Sequence, residues 1–295
     1  MSDEKTGIEF DWQYDSKESV DPLVFLQQIS NTLQQSSIVS FGEQHDLRVD
    51  ESFSWILSFQ NEILEAYHVY SLTMGIEKPK PMETFQRCLR RGSRLINVLS
   101  ENLSSFEEVR NMHVGRMFAL HILPLARNLG YTEVVLEGVE AKNPARLIDR
   151  STDKIGDLLR ILMAMVLGMR VHGAYADGLL STAVDVGVEL QDKINEVKTN
   201  NPDSKIIVYN GAMHNMTIPY QGTHASIPGI SMDVSQITYA PDLIAEYGSQ
   251  YSAIDMLNKD RTIPTGHFSQ MQEESEAGEI TCFKHGIRQQ SFVIG

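Results

Sequence analysis

The chain has 295 residues, of which 42% are hydrophobic and 22% are charged. This composition is ordinary for a globular protein and excludes wholesale disorder. The formal net charge of −14 repels nucleic-acid phosphates, so nucleic-acid binding is not expected as the main role.

Cysteine content and hydropathy predict a cytoplasmic protein without a membrane span. The two cysteines, Cys88 and Cys282, lie far apart and do not form a disulfide framework. The most apolar helical stretch, residues 158–169, contains Arg160 and is shorter than the roughly 20 apolar residues that a bilayer requires. The acidic, polar N-terminus lacks the pattern of a secretory signal.

The first predicted elements are a polar arm, a helix and a strand. Residues 1–20 are expected to form the arm. Residues 22–35 predict the helix, because Asp21 is a favourable N-cap and Pro22 suits the first turn. A β-prone run at residues 37–41 then predicts the first strand.

Helical periodicity dominates the segment after the first strand. It predicts a helical insertion at about residues 50–130, within a single domain that spans residues 21–295. The insertion ends at Asn128-Leu129-Gly130, a sequence that predicts a left-handed cap. The helices expected within it are residues 51–70, 81–102 and 106–129.

Three apolar runs, at residues 37–41, 132–137 and 205–209, are continuous rather than alternating. Such runs are typical of strands buried on both faces of a parallel sheet. We therefore predict an α/β fold with a mostly parallel central sheet flanked by helices. The other expected segments are a largely helical region at 145–198, a loop at 257–278, and weaker strands at about 230–239 and 279–294.

Polar residues follow all three predicted strands, at the edge where open α/β sheets carry their sites. The first and third strands are each followed by the pattern Gly-x-x-His, which places His45 and His214 there. Glu43 and Glu137 stand at the ends of the first and second strands. If these strands are neighbours, we expect the four side chains to converge on one small volume.

This set of side chains predicts a metal site. Imidazole and carboxylate suit Zn, Mn, Fe or Co, so His45, Glu137 and His214 are the expected ligands. Glu43 could act as a general base or orient a ligand. Each residue also has an ordinary interpretation: a single Gly-x-x-His occurs by chance, and Glu137 could be a carboxylate at a helix N-terminus.

Three motifs, at residues 38–46, 134–137 and 208–215, resemble a superfamily of ChaN-like haem-binding proteins, Tiki and TraB metalloprotease-like proteins, and erythromycin esterases. IVSFGEQHD is similar to the Gly-Glu-x-His-Asp opening of the ChaN-like branch. The Tiki branch has two Gly-x-x-His motifs and an intervening glutamate, which are matched here. VVLE is similar to the strand-end glutamate of the esterases, and VYNGAMHN to the late strand of the superfamily.

The resemblance implies either metal-dependent hydrolysis or haem binding, with two departures. The Tiki and esterase branches imply an Arg-x-x-x-Met-Ala-like helix before the last strand. The segment at residues 172–180 has no arginine in the matching place, and Arg170 is the nearest substitute. The chain also lacks a lipoprotein signal, which argues against a haem-uptake role at a cell surface.

Several other residues have stronger structural than functional interpretations. The arginines of one predicted helix form a solvated face more readily than an anion site. The helix before the second strand contributes two histidines and an arginine, and loops after the last motif contribute two more histidines that could line the site. These secondary candidates are Arg87, Arg90, Arg91, Arg94, His113, Arg116, His121, His224 and His267, whereas Tyr209, Met163, Met165 and Met169 are expected in the core.

Four functions are compatible with these patterns. The first is a metal-dependent hydrolase that acts on an ester, amide or similar carbonyl of a small molecule or peptide. The second is haem or iron binding without catalysis, and the third is an esterase that uses histidine as a general base without a metal. The fourth is an interaction domain without catalysis. Substrate identity and oligomeric state are left open by the sequence.

Overall fold

An eight-stranded, mostly parallel sheet forms the centre of the computed structural model. Its strands in chain order are β1 (Ser16–Val20), β2 (Ile38–Glu43), β3 (Glu133–Glu137), β4 (Arg170–Ala174), β5 (Ile206–Gly211), β8 (Tyr251–Asn258), β9 (Ile280–His285) and β10 (Gln289–Ile294). A second, antiparallel pair consists of β6 (His224–Ile227) and β7 (Ile230–Asp233). The structure describes residues 14–43, 103, 105–111, 114–137, 154–174, 183–217, 224–227, 230–233, 237–259 and 266–295.

The strand order is β1-β9-β10-β8-β2-β5-β3-β4. All neighbours from β10 to β4 are parallel, whereas β9 pairs antiparallel with β10 and β1. This arrangement confirms the predicted α/β fold with a mostly parallel central sheet flanked by helices. The order also makes β2, β5 and β3 neighbours, so their carboxyl ends lie side by side.

Helices pack on both faces of the sheet. One core combines Phe41 of β2 with apolar side chains of α1, α4 and α5, and the other combines Ile38 with those of α6 and α7. Successive strand residues point to opposite faces, which is why one strand supplies both cores. The helices are α1 (Pro22–Gln35), α2 (Phe106–Asn111), α3 (Val114–Met117), α4 (Leu123–Asn128), α5 (Lys154–Val166), α6 (Ala183–Asn200), α7 (Ala240–Tyr247) and α8 (Gly266–Glu274).

Short irregular helices join several of these elements. A π-helical turn, Phe118–Ile122, connects α3 to α4, and 3-10 turns at Ala212–Asn215 and Gly248–Gln250 follow β5 and α7. Within the described ranges, no helix has the length and apolarity needed to cross a bilayer.

The start of α1 is as the sequence predicted. Asp21 caps the helix through its side chain, whose Oδ1 accepts a hydrogen bond of 2.8 Å from the Val24 amide, and Pro22 occupies the first turn. Pro22 has no amide hydrogen, so it leaves no donor unsatisfied at the helix start.

Two helices end in the same glycine motif immediately before a strand. Gly130 after α4 has φ +89° and Gly168 after α5 has φ +66°. In each case the glycine amide and the next amide bond back to carbonyls of the last turn, which is the Schellman pattern. The left-handed cap predicted at Gly130 is therefore confirmed, and the same device precedes β4.

The sheet has an edge strand on each side that the sequence did not predict, and both of these strands are polar. Residues 16–20, expected as part of a loose arm, form β1 and pair with β9. Residues 170–174, expected to be helical, form β4, which pairs with β3 at the other edge. An edge strand need not be apolar on both faces. The sequence of β4, RVHGA, accordingly lacks the continuous apolar run of the central strands.

The C-terminal third also differs from the expectation. Strand β8 was not predicted, yet it lies beside β2 in the middle of the sheet. Residues 266–274, within the expected loop, form α8, and the segment 279–294 contains two strands rather than one. The predicted helices at 51–70 and 81–102 lie outside the described residues.

The left-handed conformation of Gly130, which ends α4 before β3, can be tested directly. Gly130→Ala should lower the free energy of unfolding by about 1–2 kcal/mol, because a side chain destabilises the left-handed conformation. A Cβ there would meet no atom within 4 Å, so the loss is conformational rather than steric. Gly130→Asn should cost less, since asparagine tolerates this conformation. Urea unfolding measures both values, and equal losses would contradict the assignment.

Candidate functional site

Three of the four residues proposed for the site lie along one edge of the sheet. Pairing places Glu43 opposite Gly211, and Leu136 opposite Tyr209, so β2, β3 and β5 end at the same level. Glu137 is the last residue of β3, and His214 lies in the 3-10 turn after β5. His45 falls outside the described residues.

Glu137 and His214 face each other at this edge. Oε1 of Glu137 lies 3.7 Å from Nε2 of His214. The other carboxylate oxygen of Glu137 accepts a hydrogen bond of 2.6 Å from the Gly211 amide. The backbone at the end of β5 therefore fixes the carboxylate that faces the imidazole three residues later.

The orientation of the His214 ring is set by a backbone carbonyl. Nδ1 lies 2.6 Å from the carbonyl oxygen of Ile237. A carbonyl can only accept, so Nδ1 carries the hydrogen and Nε2 is the nitrogen presented to Glu137. The ring also stacks on Tyr239, with centroids 6.3 Å apart and planes inclined by 17°.

Burial and charge act in opposite directions on His214. Its side chain is 4% exposed, and burial alone lowers the pKa of the imidazole. The negative charge of Glu137 and the hydrogen bond to Ile237 outweigh burial, so the pKa is raised. Glu137 therefore stabilises a positive charge on the His214 ring.

Glu43 occupies the other face of the same edge. It shares a face with Phe41, whereas Glu137 shares the opposite face with Val135, because strand side chains alternate. The hydroxyl of Tyr209 donates to Oε2 of Glu43. Of the side chains that were expected to converge, His214 and Glu137 therefore lie on one face, and Glu43 lies with Tyr209 on the other.

Tyr209 is buried, as the sequence predicted, but its hydroxyl reaches a site residue. The guanidinium of Arg160 on α5 lies 4.0 Å from the centre of its ring, and the ring of Phe118 lies 4.5 Å away. A cation over an aromatic face is a favourable interaction. Arg160 thus holds the ring whose hydroxyl contacts Glu43.

A buried polar cluster lies directly beneath the pair, and sequence reasoning missed it. Ser40 donates a hydrogen bond of 2.6 Å to Oδ1 of Asn215, and its hydroxyl lies 2.7 Å from that of Tyr239. Asn210 donates a bond of 3.1 Å to the same Asn215 oxygen. Asn215 directly follows His214, so the cluster supports the turn that carries the imidazole.

Asp255 of β8 is the charged member of this cluster. Its side chain is fully buried and accepts hydrogen bonds from Asn215 at 3.1 Å, Gln289 at 2.7 Å and Ser291 at 3.0 Å. Burial raises the pKa of the carboxyl to about 6, although the three hydrogen bonds oppose the rise. The apolar residues of YSAIDMLN were the signal that could have revealed β8, and the aspartate among them was the signal for this buried group.

Close packing requires a glycine at position 42, which begins the first Gly-x-x-His motif. A Cβ on Gly42 would lie 2.5 Å from Asp255 Oδ1, 2.6 Å from Ala212 Cα and 2.7 Å from Asn215 Nδ2. Such distances are far below normal contact. Gly42 therefore allows the turn after β5 to pack against β2, which brings His214 to the shared edge.

Arg170, considered as a substitute for the arginine of the Tiki and esterase branches, lies at the start of β4. Arg170 and His172 of β4 both contact Glu133, with N–O distances of 3.6 Å and 2.7 Å. Glu133 begins β3 and Glu137 ends it. Arg170 is therefore separated from His214 by the length of a strand and does not replace the expected arginine.

The remaining candidates in the described part of the chain lie in the core or on the helices that pack against it. Burial raises the pKa of Cys282 to about 12, which disfavours a thiolate nucleophile. The three methionines of the predicted core are buried, as expected. Arg116 lies in α3, and His121 lies in the π-helical turn that follows it. Phe118 of that turn packs against Tyr209. Outside the described residues are Arg87, Cys88, Arg90, Arg91, Arg94 and His113, and the side chains of His224 and His267.

Comparisons with known proteins leave the family open. No family model matches the chain, and no curated protein matches it significantly. Among solved structures, it is similar to the type III effector HopBA1 with a TM-score of 0.36 and 9% sequence identity, covering 81% of this chain and 86% of that one. A likeness at this level carries no argument about function, so the superfamily resemblance stays a prediction.

Gly187 of α6 tests how the imidazole is oriented. A Cβ there would lie 2.7 Å from the Ile237 oxygen and 3.5 Å from His214 Nδ1. Gly187→Ala should displace the carbonyl and release Nδ1, which ¹⁵N NMR of the ring would detect as a mixture of tautomers. The exposed neighbour Val188 provides the control, because Val188→Ala should leave the ring signals in place. Unchanged signals in Gly187→Ala would contradict this role of the carbonyl.

The buried carboxyl of Asp255 predicts a dependence of stability on pH. Its pKa rises from 3.8 to about 6 on folding, so the folded chain binds this proton more tightly than the unfolded chain. As pH falls from 6 to 4, wild type should gain about 2 kcal/mol relative to Asp255→Asn. The exposed Asp192 provides the control, since Asp192→Asn should show little such trend. Urea unfolding across this range measures the differences, and a parallel response of wild type and Asp255→Asn would contradict the prediction.

Proposed function

We propose that this chain is a hydrolase that acts on an ester, amide or similar carbonyl, with Glu137 and His214 at the centre of its active site. One observation carries the proposal. A buried histidine at the carboxyl edge of a parallel sheet has Nδ1 fixed by Ile237 and presents Nε2 to a carboxylate. Sites of open α/β sheets lie at this edge, and a histidine held in one tautomer can take a proton or bind a metal.

The chain's own residues can carry out acid–base chemistry. Nε2 of His214 would accept a proton from water as it attacks the carbonyl carbon. Glu137 would stabilise the resulting imidazolium, and the Ile237 carbonyl would keep the ring in place. The same nitrogen would then return the proton to the leaving group.

The pair also fits two of the three predicted metal ligands. Zinc binds nitrogen and oxygen donors at about 2.0–2.2 Å, so two donors on one ion lie within about 4 Å of each other. The 3.7 Å between His214 Nε2 and Glu137 Oε1 meets this condition. A carbonyl on the second ring nitrogen is also the usual outer partner of a metal-binding histidine.

The third ligand in this proposal is His45, the histidine of the first Gly-x-x-His motif. Within the described residues, no group of three His, Cys, Asp or Glu side chains is arranged to hold a metal. The proposed ion is Zn, Mn, Fe or Co, and its chemistry when bound is to lower the pKa of a water toward about 7. Glu43, held by Tyr209 on the other face, would orient substrate or assist as a base.

A metal-independent esterase is the second candidate, and one observation favours it. The Glu137–His214 pair is already an acid–base pair, in which the histidine pKa is raised by the carboxylate. Haem binding stays a prediction that depends on the ChaN-like motif alone. The substrate class in either hydrolytic proposal is a small molecule or peptide.

The test combines hydrolysis with metal binding. Wild type, His45→Ala, Glu137→Gln and His214→Gln are assayed on p-nitrophenyl acetate, p-nitrophenyl butyrate and alanine p-nitroanilide, with and without chelator. Removal of an acid–base residue should reduce the rate by about 10²- to 10⁴-fold. His172→Gln is the matched control, because His172 also pairs with a glutamate, but that glutamate is Glu133 at the start of β3 rather than Glu137 at its end.

The outcomes separate the candidates. Zinc binding by calorimetry that is lost in His45→Ala and His214→Gln, with activity that chelator removes, supports the metal enzyme. Activity that survives chelation but is lost in His214→Gln supports the metal-independent esterase. Saturable haemin binding with a Soret band that needs His45 supports the haem alternative. Zinc binding and hydrolysis that are absent, or unchanged in His214→Gln, would reject both hydrolase proposals.

A further inference from the structure

The turn that carries His214 is held from one side by a single buried carboxylate. This segment, residues 212–217, is called the His214 turn below. Asp255 Oδ1 accepts from the Nδ2 of Asn215, and Asp255 Oδ2 accepts from the Nε2 of Gln289. The Oε1 of Gln289 in turn accepts from both the amide and the hydroxyl of Thr217, at 3.0 Å and 2.9 Å.

The other side of the turn is held by the segment that orients the imidazole. The hydroxyl of Thr238 lies 3.0 Å from the His214 carbonyl oxygen and 2.8 Å from that of Met216. The Tyr239 amide donates to the His214 carbonyl at 3.3 Å, and the Ile237 carbonyl lies at Nδ1. The turn is therefore clamped between residues 237–239 and the carboxylate of β8.

We propose that Asp255 is a positioning residue of the active site, which fixes the His214 turn by accepting hydrogen bonds on both of its oxygens. The inference rests on the proposed function of His214, but it concerns the placement of the ring rather than the reaction. Asp255 acts through Asn215 and through Gln289, and the two links reach the turn one and three residues after the histidine.

The acceptor character of the carboxylate is the property that matters. An ionised carboxylate only accepts, so it dictates that both neighbouring side-chain amides point their NH₂ groups toward it. Asn215 then directs Oδ1 to Ser40 and Asn210, and Gln289 directs Oε1 to Thr217. The orientation of the Gln289 amide follows from this charged group. That of the Asn215 amide follows from it together with the backbone carbonyls of Ser40 and Ile254, which also accept from its NH₂ group.

Asp255→Asn keeps the shape of the side chain but removes this property. The new amide has one oxygen and one NH₂ group, so one of its two neighbours must meet a donor instead of an acceptor. If that neighbour is Gln289, it must turn its NH₂ group toward the Thr217 amide or leave two donors in contact. If it is Asn215, its link to Asp255 or to Ser40 is lost. Either outcome releases one side of the turn.

The double variant Asp255→Asn/Gln289→Glu should restore the anchoring. A glutamate at position 289 can accept from the new amide with one oxygen and from Thr217 with the other. The asparagine oxygen at position 255 is then available to Asn215. The negative charge is then on residue 289 instead of residue 255. Each hydrogen bond that connects these side chains to the His214 turn again has one donor and one acceptor.

The experiment uses the full-length, metal-free protein, so it does not depend on activity or on a bound ion. Ring ¹⁵N shifts of His214, at a pH where the ring is neutral, report which nitrogen carries the hydrogen, and amide exchange of Thr217 reports the second link. Asp255→Asn should shift the ring from one tautomer to a mixture, or accelerate Thr217 exchange by about tenfold, the effect of one lost hydrogen bond.

Two further variants decide between positioning and general destabilisation. Ser291→Ala removes one hydrogen bond from Asp255 but neither link to the turn, and it should leave both signals unchanged. Asp255→Asn/Gln289→Glu should return both signals to the wild-type values. The proposal is overturned if Asp255→Asn leaves both signals unchanged, if Ser291→Ala alters them equally, or if the double variant shows no recovery. If wild type neither hydrolyses the substrates nor binds zinc, the proposed function is rejected and this test stays intact.

Discussion

The hydrogen bond from His214 Nδ1 to the Ile237 carbonyl is the contact on which the site depends. It decides which nitrogen faces Glu137, and it is made in a region where the ring has almost no access to solvent. Without this partner, a buried imidazole could adopt either tautomer. The nitrogen that faces Glu137 could then be either protonated or unprotonated. The close packing of Gly187 against the same carbonyl leaves it little room to move.

The parallel sheet supplies the rest of the arrangement. Adjacent strands β2, β5 and β3 end at one level, so residues distant in sequence meet at one edge. Strand alternation then divides them, since Glu137 and His214 lie on one face and Glu43 on the other. Gly42 packs closely against the turn after β5, and this contact keeps His214 at the edge that β2, β3 and β5 share.

Much of this could be predicted from the sequence, for identifiable reasons. The central strands were found because burial on both faces requires continuous apolar runs, and Glu137 and His214 were chosen because they follow such runs. Strand β4 was missed because an edge strand tolerates polar residues, although Leu167-Gly168 repeats the Leu129-Gly130 signal that precedes β3. Strand β8 was missed because Asp255 interrupts its apolar run, and only the folded structure supplies that carboxylate with three donors.

In this arrangement His214 presents an unprotonated Nε2 to Glu137 whenever its ring is neutral. Ring ¹⁵N and ¹H NMR of the wild-type protein, selectively labelled at histidine, measures this most directly. We expect one tautomer, with the hydrogen on Nδ1 and a signal at Nε2 that responds to Glu137→Gln. A ring protonated at Nε2, or an equal mixture of the two tautomers, would contradict it.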